Sequence, residues 1–528
     1  MHPSSRRRQV AGGRLGRGGT GRLPCLGHWL GITSDGKAGS LVNYRVFSAA
    51  TGRSMLRLSP LKHIFRSAEP HLGTEVMGNM TDHLLVAFDG GDSGTADLTW
   101  GQQDTFAAMR RENNSFSVGF WLPLADGTTV SDVADDLRFL MCRHQALRTR
   151  LAFADDGRPQ QVVAQAGEVP LEIVDAGAAD PARVAEDVYL SYVGHVFDET
   201  REWPIRCAVV VSGGMATHMV PVISHLVLDG ASFGLILAEL AARDRVSGSA
   251  ATPVVGLRPL ELARWQGTAD GRRRSEAALR HWERLLLAIP ARRFGSSPDQ
   301  RQLRFWQLEY NSPASHLAAR LLAARTGTST SAVLLAAFAV TIAQVTGVSP
   351  AVVQIMVSNR FRREMTSTIS QLALAAPCVI DVAAASFDEV VSRAWQRVIS
   401  IYKLSYYDPV RREELVTRIS QERGEQIDLS CTFNDRRAMS AQQQPSGDLP
   451  APEEVGAALE RSKLTWGFQR AFPGAHLFMN VNNVPDTIDY EIFADTHHLC
   501  PADMEAFLRG QEAVLVQAAL GHGDRTRR

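Results

Sequence analysis

The chain has little of what marks several classes of protein. It contains six cysteines among 528 residues, and no two of them form a CxxC pair. We therefore expect no disulfide framework, and the scattered thiols are typical of a reducing cytoplasm. The longest apolar run, 332–343, is shorter than the ~18 residues that a membrane-spanning helix needs. The sequence thus predicts a cytoplasmic protein with no membrane partner.

Net charge is also missing, because 56 basic side chains balance 56 acidic ones. The distribution is uneven: residues 1–75 carry 12 Lys and Arg against three acidic residues, a net charge of +9, so the rest of the chain carries −9. An acidic body argues against a nucleic-acid partner, since phosphate binding needs a basic surface. The Arg- and Gly-rich head has no helical or strand period, and we expect residues 1–79 to be a disordered extension.

Metal-ligand spacing is absent as well. The adjacent pair His497 and His498 has no partner at the spacing of a helix or a zinc finger, and we interpret it as a surface pair. The sequence therefore predicts no metal site.

Apolar periodicity predicts a mixture of strands and helices. Strands are expected over 116–124, 218–223 and 352–357, and helices over 130–141, 232–242, 331–345, 387–402 and 502–516. The helix 331–345 is almost entirely apolar and should be buried. Loops are expected directly after Gln266 and over 438–454. This pattern indicates an α/β protein.

The segment SHLVLDG contains the chemistry-bearing residues His225 and Asp229. An imidazole has an ordinary pKa near ~6.5 and can accept a proton at neutral pH. Taken alone, an HxxxD match is weak, and its spacing favours a histidine bonded to the backbone and an aspartate that caps the following helix.

Several segments in order strengthen the match. SHLVLDGAS resembles the HHxxxDGxS signature of the condensation domains of nonribosomal peptide synthetases, which belong to the superfamily of chloramphenicol acetyltransferase-like HxxxD acyltransferases. LTWGQQ (98–103), RHQALRTRL (143–151), HVFDETREWPIRC (195–207), ELARWQ (261–266) and VVQIMVSNRFRREM (352–365) resemble that family's other motifs in the family's order. The resemblance covers residues 98–520.

The resemblance implies two chloramphenicol-acetyltransferase-like lobes in a V-shaped arrangement, with the active-site channel between them. We expect the first lobe over 80–266, carrying SHLVLDG, and the second over 267–525. The domain would be freestanding, because no adenylation, carrier or thioesterase segment accompanies it in the sequence.

The resemblance also implies roles for individual residues. His225 would be the base or orienting group, and the backbone N–H of Gly230 is a candidate for holding the oxyanion. Asp229 would act structurally, through a buried ion pair with Arg360, although Arg362 is an alternative partner. Ser232 is interpreted equally as a helix cap or as a hydroxyl of the substrate pocket.

Three classes of function remain open at this point. The first is acyl transfer to an amine or hydroxyl from a phosphopantetheine thioester, delivered in trans by a carrier protein or coenzyme A, with no cofactor bound to the chain itself. The second is a catalytically silent docking module, because Ser224, which we expect to bind substrate together with Ser232, replaces the first histidine of the signature and should alter the polarity of the pocket. The third is ester formation on a lipid or polyketide hydroxyl. A hydrolase is disfavoured, because no G-x-S-x-G elbow surrounds a candidate nucleophile.

Overall fold

A computed structural model of the chain describes residues 82–244, 254–439, 448–471 and 474–521, together with the backbone of two short strands. These strands, β1 (Tyr44–Phe47) and β2 (Ser54–Leu58), pair antiparallel and are an exception to the disorder expected over 1–79. The rest of that extension lies outside the described residues, as do residues 440–447 of the expected loop over 438–454. The boundaries at 79 and 266 stay predictions.

The first lobe is a mixed sheet flanked by helices. Its elements in chain order are β3 (Asp82–Asp89), β4 (Gly94–Asp97), α1 (Trp100–Glu112), β5 (Val118–Gly119), β6 (Leu122–Pro123), α2 (Val130–Arg143), β7 (Thr149–Phe153), β8 (Pro159–Val163), β9 (Ala166–Asp175), α3 (Pro181–Gly194), β10 (Ile205–Ser212), β11 (Met215–Ile223) and α4 (Gly230–Ala242). The main sheet has the order β3-β9-β10-β11-β5, and β6 also pairs with β11. A second sheet, β4-β8-β7, lies beside it.

Two helices, α5 (Pro259–Gln266) and α6 (Ala269–Ala288), lead to the second lobe. Its elements are β12 (Phe305–Ser312), α7 (Pro313–Thr326), α8 (Thr330–Thr346), β13 (Ala351–Val357), β14 (Leu374–Ile380), α9 (Phe387–Leu404), α10 (Pro409–Arg423), β15 (Cys431–Asp435), α11 (Pro452–Ala458), β16 (Lys463–Arg470), β17 (Leu477–Asn482), β18 (Ile488–Asp495) and α12 (Pro501–Ala519). The sheet order is β14-β13-β15-β17-β18-β12-β16, parallel at β13–β15 and β15–β17. The α/β class and the two-lobed architecture are confirmed.

Most of the predicted elements are present to within a few residues. The apolar helix is α8, which begins after the cap Ser329, and its residues from Ala332 to Ile342 are all buried beneath neighbouring helices and the sheet. A helix this apolar has no polar face to turn to water, so burial is its stable arrangement.

Two predicted elements are wrong. The expected strand 116–124 is split into β5 and β6, where Gly119 allows the backbone of β11 to approach closely: a Cβ there would lie 2.7 Å from the carbonyl oxygen of Pro221. The expected loop after Gln266 is the start of α6. Thr268 caps that helix, and its apolar positions Ala278, Trp282 and Leu286 bury one face, so burial outweighs the helix-breaking tendency of Gly271.

The lobes contact each other through the start of α1. The backbone N–H of Trp100 donates to Gln266 at 3.1 Å, and the Trp100 ring packs against Tyr406 of the second lobe. At Gly101 the backbones approach so closely that a Cβ would lie 2.1 Å from the carbonyl oxygen of Gln371. The LTWGQQ segment therefore serves as an inter-lobe contact.

Among the described residues, no single helix has the length and apolar character to cross a bilayer. The pair α7 and α8 meets that criterion only when taken together, and its two members are bent by 107° relative to each other.

Candidate active site

The SHLVLDG segment forms a tight connection between β11 and α4. The strand ends at Ile223, the Val227 amide donates to the Ser224 carbonyl at 3.3 Å, and α4 begins at Gly230. The backbone N–H of His225 donates to the carbonyl of Ser115 at 3.2 Å. The imidazole is thus carried on a short loop that is anchored at both ends.

His225 is half-buried, and one of its ring nitrogens is already occupied. Nδ1 lies 2.8 Å from the carbonyl oxygen of Leu228 and donates its hydrogen there, which leaves the lone pair on Nε2. Burial lowers the pKa of His225 below 6.5, against the opposing charge of Asp229. The ring is therefore neutral at pH 7 and able to accept a proton at Nε2.

Asp229 has all its hydrogen-bonding capacity directed to the protein. Oδ1 accepts from the Ser232 amide at 2.9 Å and so caps α4, while Oδ2 accepts from Arg360 at 2.7 Å and from the Leu372 and Ala373 amides at 3.1 and 3.2 Å. Burial by itself would raise the pKa of Asp229, but Arg360 and these donors hold it below its ordinary value. The buried, ionised carboxylate ties the loop of the first lobe to the second lobe.

Arg360, one of the two arginines expected as a partner of Asp229, forms the ion pair with it. Besides Asp229, its Nη2 donates to Ser232 Oγ at 2.7 Å and to the carbonyls of Thr368 and Ser370 at 3.1 and 3.3 Å. Arg362 instead lies 3.8 Å from Asp270 and over the Trp265 ring. Of the two, Arg360 is the partner of Asp229.

The two predicted substrate-binding hydroxyls are inaccessible, and this interpretation needs correction. Ser224 and Ser232 are both 0% exposed. Ser224 donates to Glu199 at 2.8 Å, and Ser232 donates to the Ser370 carbonyl at 2.8 Å. Burial and internal bonding leave neither hydroxyl open to a ligand; both hold backbone in place.

Gly230 is the first residue of α4 and is half-buried. The first amides of a helix have no intrahelical acceptor and lie at the positive end of the helix dipole. This amide has the chemistry that an oxyanion needs, and its role there stays a prediction.

Glu199 also belongs to this site, although it was not among the residues predicted from the sequence. Its carboxyl accepts the Ser224 hydrogen bond directly beside His225. Burial, with the charges of Glu202 and Asp198, raises the pKa of Glu199 to about 7, against hydrogen bonds from Ser224 and Ser115. The sequence contained a signal for it in HVFDETREW (195–203), where the acidic Glu199 lies shortly before β10 begins at Ile205.

A row of polar side chains on one face of the second-lobe sheet was also missed. Glu491 accepts from Gln307 at 2.7 Å and from Asn480 at 2.9 Å, and Arg436 lies 3.4 Å away. The Arg436 charge acts on the pKa of His225, and burial lowers the pKa of Arg436 itself to about 10. Asn434 joins the row by donating to Asn480. The alternation of polar and apolar residues at the end of LFMNVN (477–482) was the sequence signal for this polar row.

Comparisons with known proteins agree with one another. A family model described as "Condensation domain" matches residues 93–453. The AMB antimetabolite synthetase AmbB of Pseudomonas aeruginosa is 27% identical over 286 residues, which are 52% of this chain and 22% of that protein. The chain thus spans about a fifth of the length of this relative.

Solved structures show the same fold. A structure of condensation-domain-mediated chain release from the enacyloxin polyketide synthase has a TM-score of 0.63 and 19% identity, covering 82% of this chain and 85% of that one. The SgcC5 protein of Streptomyces globisporus has a TM-score of 0.61 and 17% identity, covering 80% and 98%. At these identities the likeness concerns the fold alone.

Proposed function

Because the chain belongs to the condensation domain family, we propose that it transfers an acyl or peptidyl group from a phosphopantetheine thioester to an amine or hydroxyl acceptor. The donor would arrive in trans, on a carrier protein or on coenzyme A, and the acceptor would be a small-molecule nucleophile. The chain would hold no cofactor of its own.

The observation that carries the proposal is the state of His225. Its neutral ring keeps Nε2 free because Nδ1 is tied to Leu228, and it lies where Asp229 and Arg360 join the two lobes. Nε2 would accept the acceptor's proton, or orient it, as the nucleophile attacks the thioester carbonyl. The resulting oxyanion would be held at the Gly230 amide until the carbon–sulfur bond breaks and the thiolate takes up a proton. Base assistance is typically worth ~10²–10⁴ in rate.

Asp229 and Arg360 would act as positioning residues in this scheme. Their pair is nearly unexposed, at 3% and 9% of the side chains, so neither is available to carry a proton to substrate. They would hold the loop that carries His225 in a geometry favourable for reaction.

The test uses acyl-coenzyme A and acyl-loaded carrier proteins as donors, with panels of amines and alcohols as acceptors. Product is followed by mass spectrometry and free thiol by a colorimetric assay, so that transfer is distinguished from hydrolysis. We expect His225→Ala to lower kcat by ~10²–10⁴ with KM retained. His281→Ala, which removes a half-buried histidine on α6, is the matched control.

Equal rates for wild type and His225→Ala with a true substrate pair would overturn the assignment of the base. A wild-type protein that turns over no donor yet binds a loaded carrier tightly would overturn the proposal itself, in favour of a docking module.

A further inference from the structure

Three potential metal ligands converge at the end of the second-lobe sheet. His476 directly precedes β17, Asp495 is the last residue of β18, and His498 follows three residues later. One ligand atom from each lies within 4.8 Å of the other two. The two imidazole centroids are 3.7 Å apart. The sequence analysis assigned His498 no partner, and the antiparallel pairing of β17 with β18 brings His476 beside Asp495 and His498.

Each imidazole has a polar neighbour at its Nδ1 atom. Nδ1 of His498 lies 2.9 Å from the carbonyl oxygen of Gly295, and Nδ1 of His476 lies 3.3 Å from Asp428 Oδ2. These contacts leave both Nε2 atoms as donors to a metal. Histidine ligands in proteins are oriented in this way, with the second ring nitrogen bound to a carbonyl or carboxylate.

Asp495 supplies an oxygen in a buried position. It is 0% exposed, and Arg304 binds it through Nε at 2.7 Å and through a second contact from Nη2. The His497 amide also donates to Oδ1, at 3.0 Å. A carboxylate offers about four acceptor positions, so Oδ2 retains a lone pair for a cation. The arginine orients the carboxylate, as outer-sphere partners of metal ligands do.

We propose that His476, Asp495 and His498 form a zinc site. Two nitrogens and one carboxylate oxygen suit Zn²⁺, whereas Ca²⁺ and Mg²⁺ prefer oxygen ligands alone. Zinc ligands bound at about 2.0–2.2 Å lie roughly 3.4 Å from one another. The three ligand atoms, now within 4.8 Å of one another, would therefore each move by on the order of an ångström to bind the ion. Water completes the tetrahedron.

This site is structural and separate from the acyl-transfer site. It lies at the end of β17 opposite Asn482, and a six-residue strand spans roughly 17–20 Å. Asn482 is the end that binds Arg436, whose charge acts on His225. A bound ion would join the start of β17 to the end of β18 and the loop after it, and this loop already holds the 293–297 segment through the Ser297–His497 backbone hydrogen bond and the His498–Gly295 contact.

The test is a Zn²⁺ titration of the full chain after chelator treatment, by calorimetry, with Co²⁺ absorption as a probe of coordination. We expect one Zn²⁺ per chain, a higher Tm that chelator reverses, and tetrahedral Co²⁺ bands. His476→Ala and His498→Ala should weaken Zn²⁺ binding by at least about 100-fold, and Asp428→Asn by about 10–100-fold.

His497→Ala is the matched control, because His497 lies in the same loop but its Nε2 contacts the Arg301 carbonyl instead. It should leave the affinity unchanged. Circular dichroism identifies any variant that fails to fold, and His498→Gln then replaces His498→Ala. A wild-type chain that binds no Zn²⁺, or a loss of affinity in His497→Ala equal to that in His498→Ala, would overturn the proposal.

Discussion

Glu199 should make the stability of the protein depend on pH, and Glu199→Gln should remove that dependence. The Glu199 carboxyl accepts a hydrogen bond from Ser224 beside His225, and its second oxygen is buried. Burial raises its pKa from 4.5 to about 7. Glutamine keeps the acceptor for the Ser224 hydroxyl but cannot ionise.

The sign follows from the raised pKa of the folded state. Below pH 4.5 the carboxyl is protonated in both the folded and the unfolded chain, and its contribution is fully present. As the pH rises through 7 the folded state must ionise a buried group, and that contribution is lost. A rise from 4.5 to about 7, at 1.36 kcal/mol per pKa unit, corresponds to about 3 kcal/mol.

Urea unfolding at pH 5, 7 and 8.5 measures this difference. The stability of Glu199→Gln relative to wild type should increase by about 2.5 kcal/mol from pH 5 to pH 8.5, slightly less than the full effect because the unfolded carboxyl is already partly ionised at pH 5. Glu454→Gln, which changes an exposed glutamate on α11, should stay within about 0.5 kcal/mol of wild type throughout. A Glu199→Gln curve parallel to wild type over this range would refute the assignment of a buried, protonated carboxyl.

Three further outcomes are expected. Asp229→Asn leaves Arg360 buried without its counter-charge and should cost about 3–5 kcal/mol of unfolding free energy, measured by urea unfolding; a cost below 1 kcal/mol would contradict the role of the pair. Gly101→Ala should cost about 1–3 kcal/mol, because its Cβ would lie 2.1 Å from the Gln371 carbonyl oxygen; an unchanged Tm would show that the lobes separate freely there. Because the pKa of His225 is lowered, kcat for acyl transfer should stay unchanged from pH 8 down to about 6.5 and should decline only at lower pH. A decline in kcat that begins at pH 7.5 would contradict a neutral ring.

Elements with a strong local pattern were predicted closely, and elements without one were not. The helix α8 was expected over 331–345 and spans Thr330–Thr346, because an apolar run between Ser329 and Gly347 carries its own cap and end signal. The start of α6 was taken for a loop, because its Gly and Arg content favours one locally. Only the packing of Trp282 and its neighbours makes a helix there stable.

The candidate site divides in the same way. His225, Asp229 and Gly230 are adjacent in the chain, so one motif identifies them together. Glu199, Arg436 and the polar row around Glu491 come from distant segments, and no local spacing connects them. The burial of Ser224 was equally invisible, since a serine in a motif has the same letter whether it faces a ligand or a neighbouring carboxyl.

By itself, the sequence determined the family, the α/β class and the identity of the loop that carries His225, because each is indicated by patterns within short segments of the chain. Tertiary structure alone decided that the serines of that loop are closed to substrate, that burial raises the pKa of Glu199, and that His498 lies beside His476 and Asp495. Each of these depends on burial and on distances between segments that are far apart in sequence. Burial alters the free energy of a charge or a hydrogen bond only after the chain has folded around it.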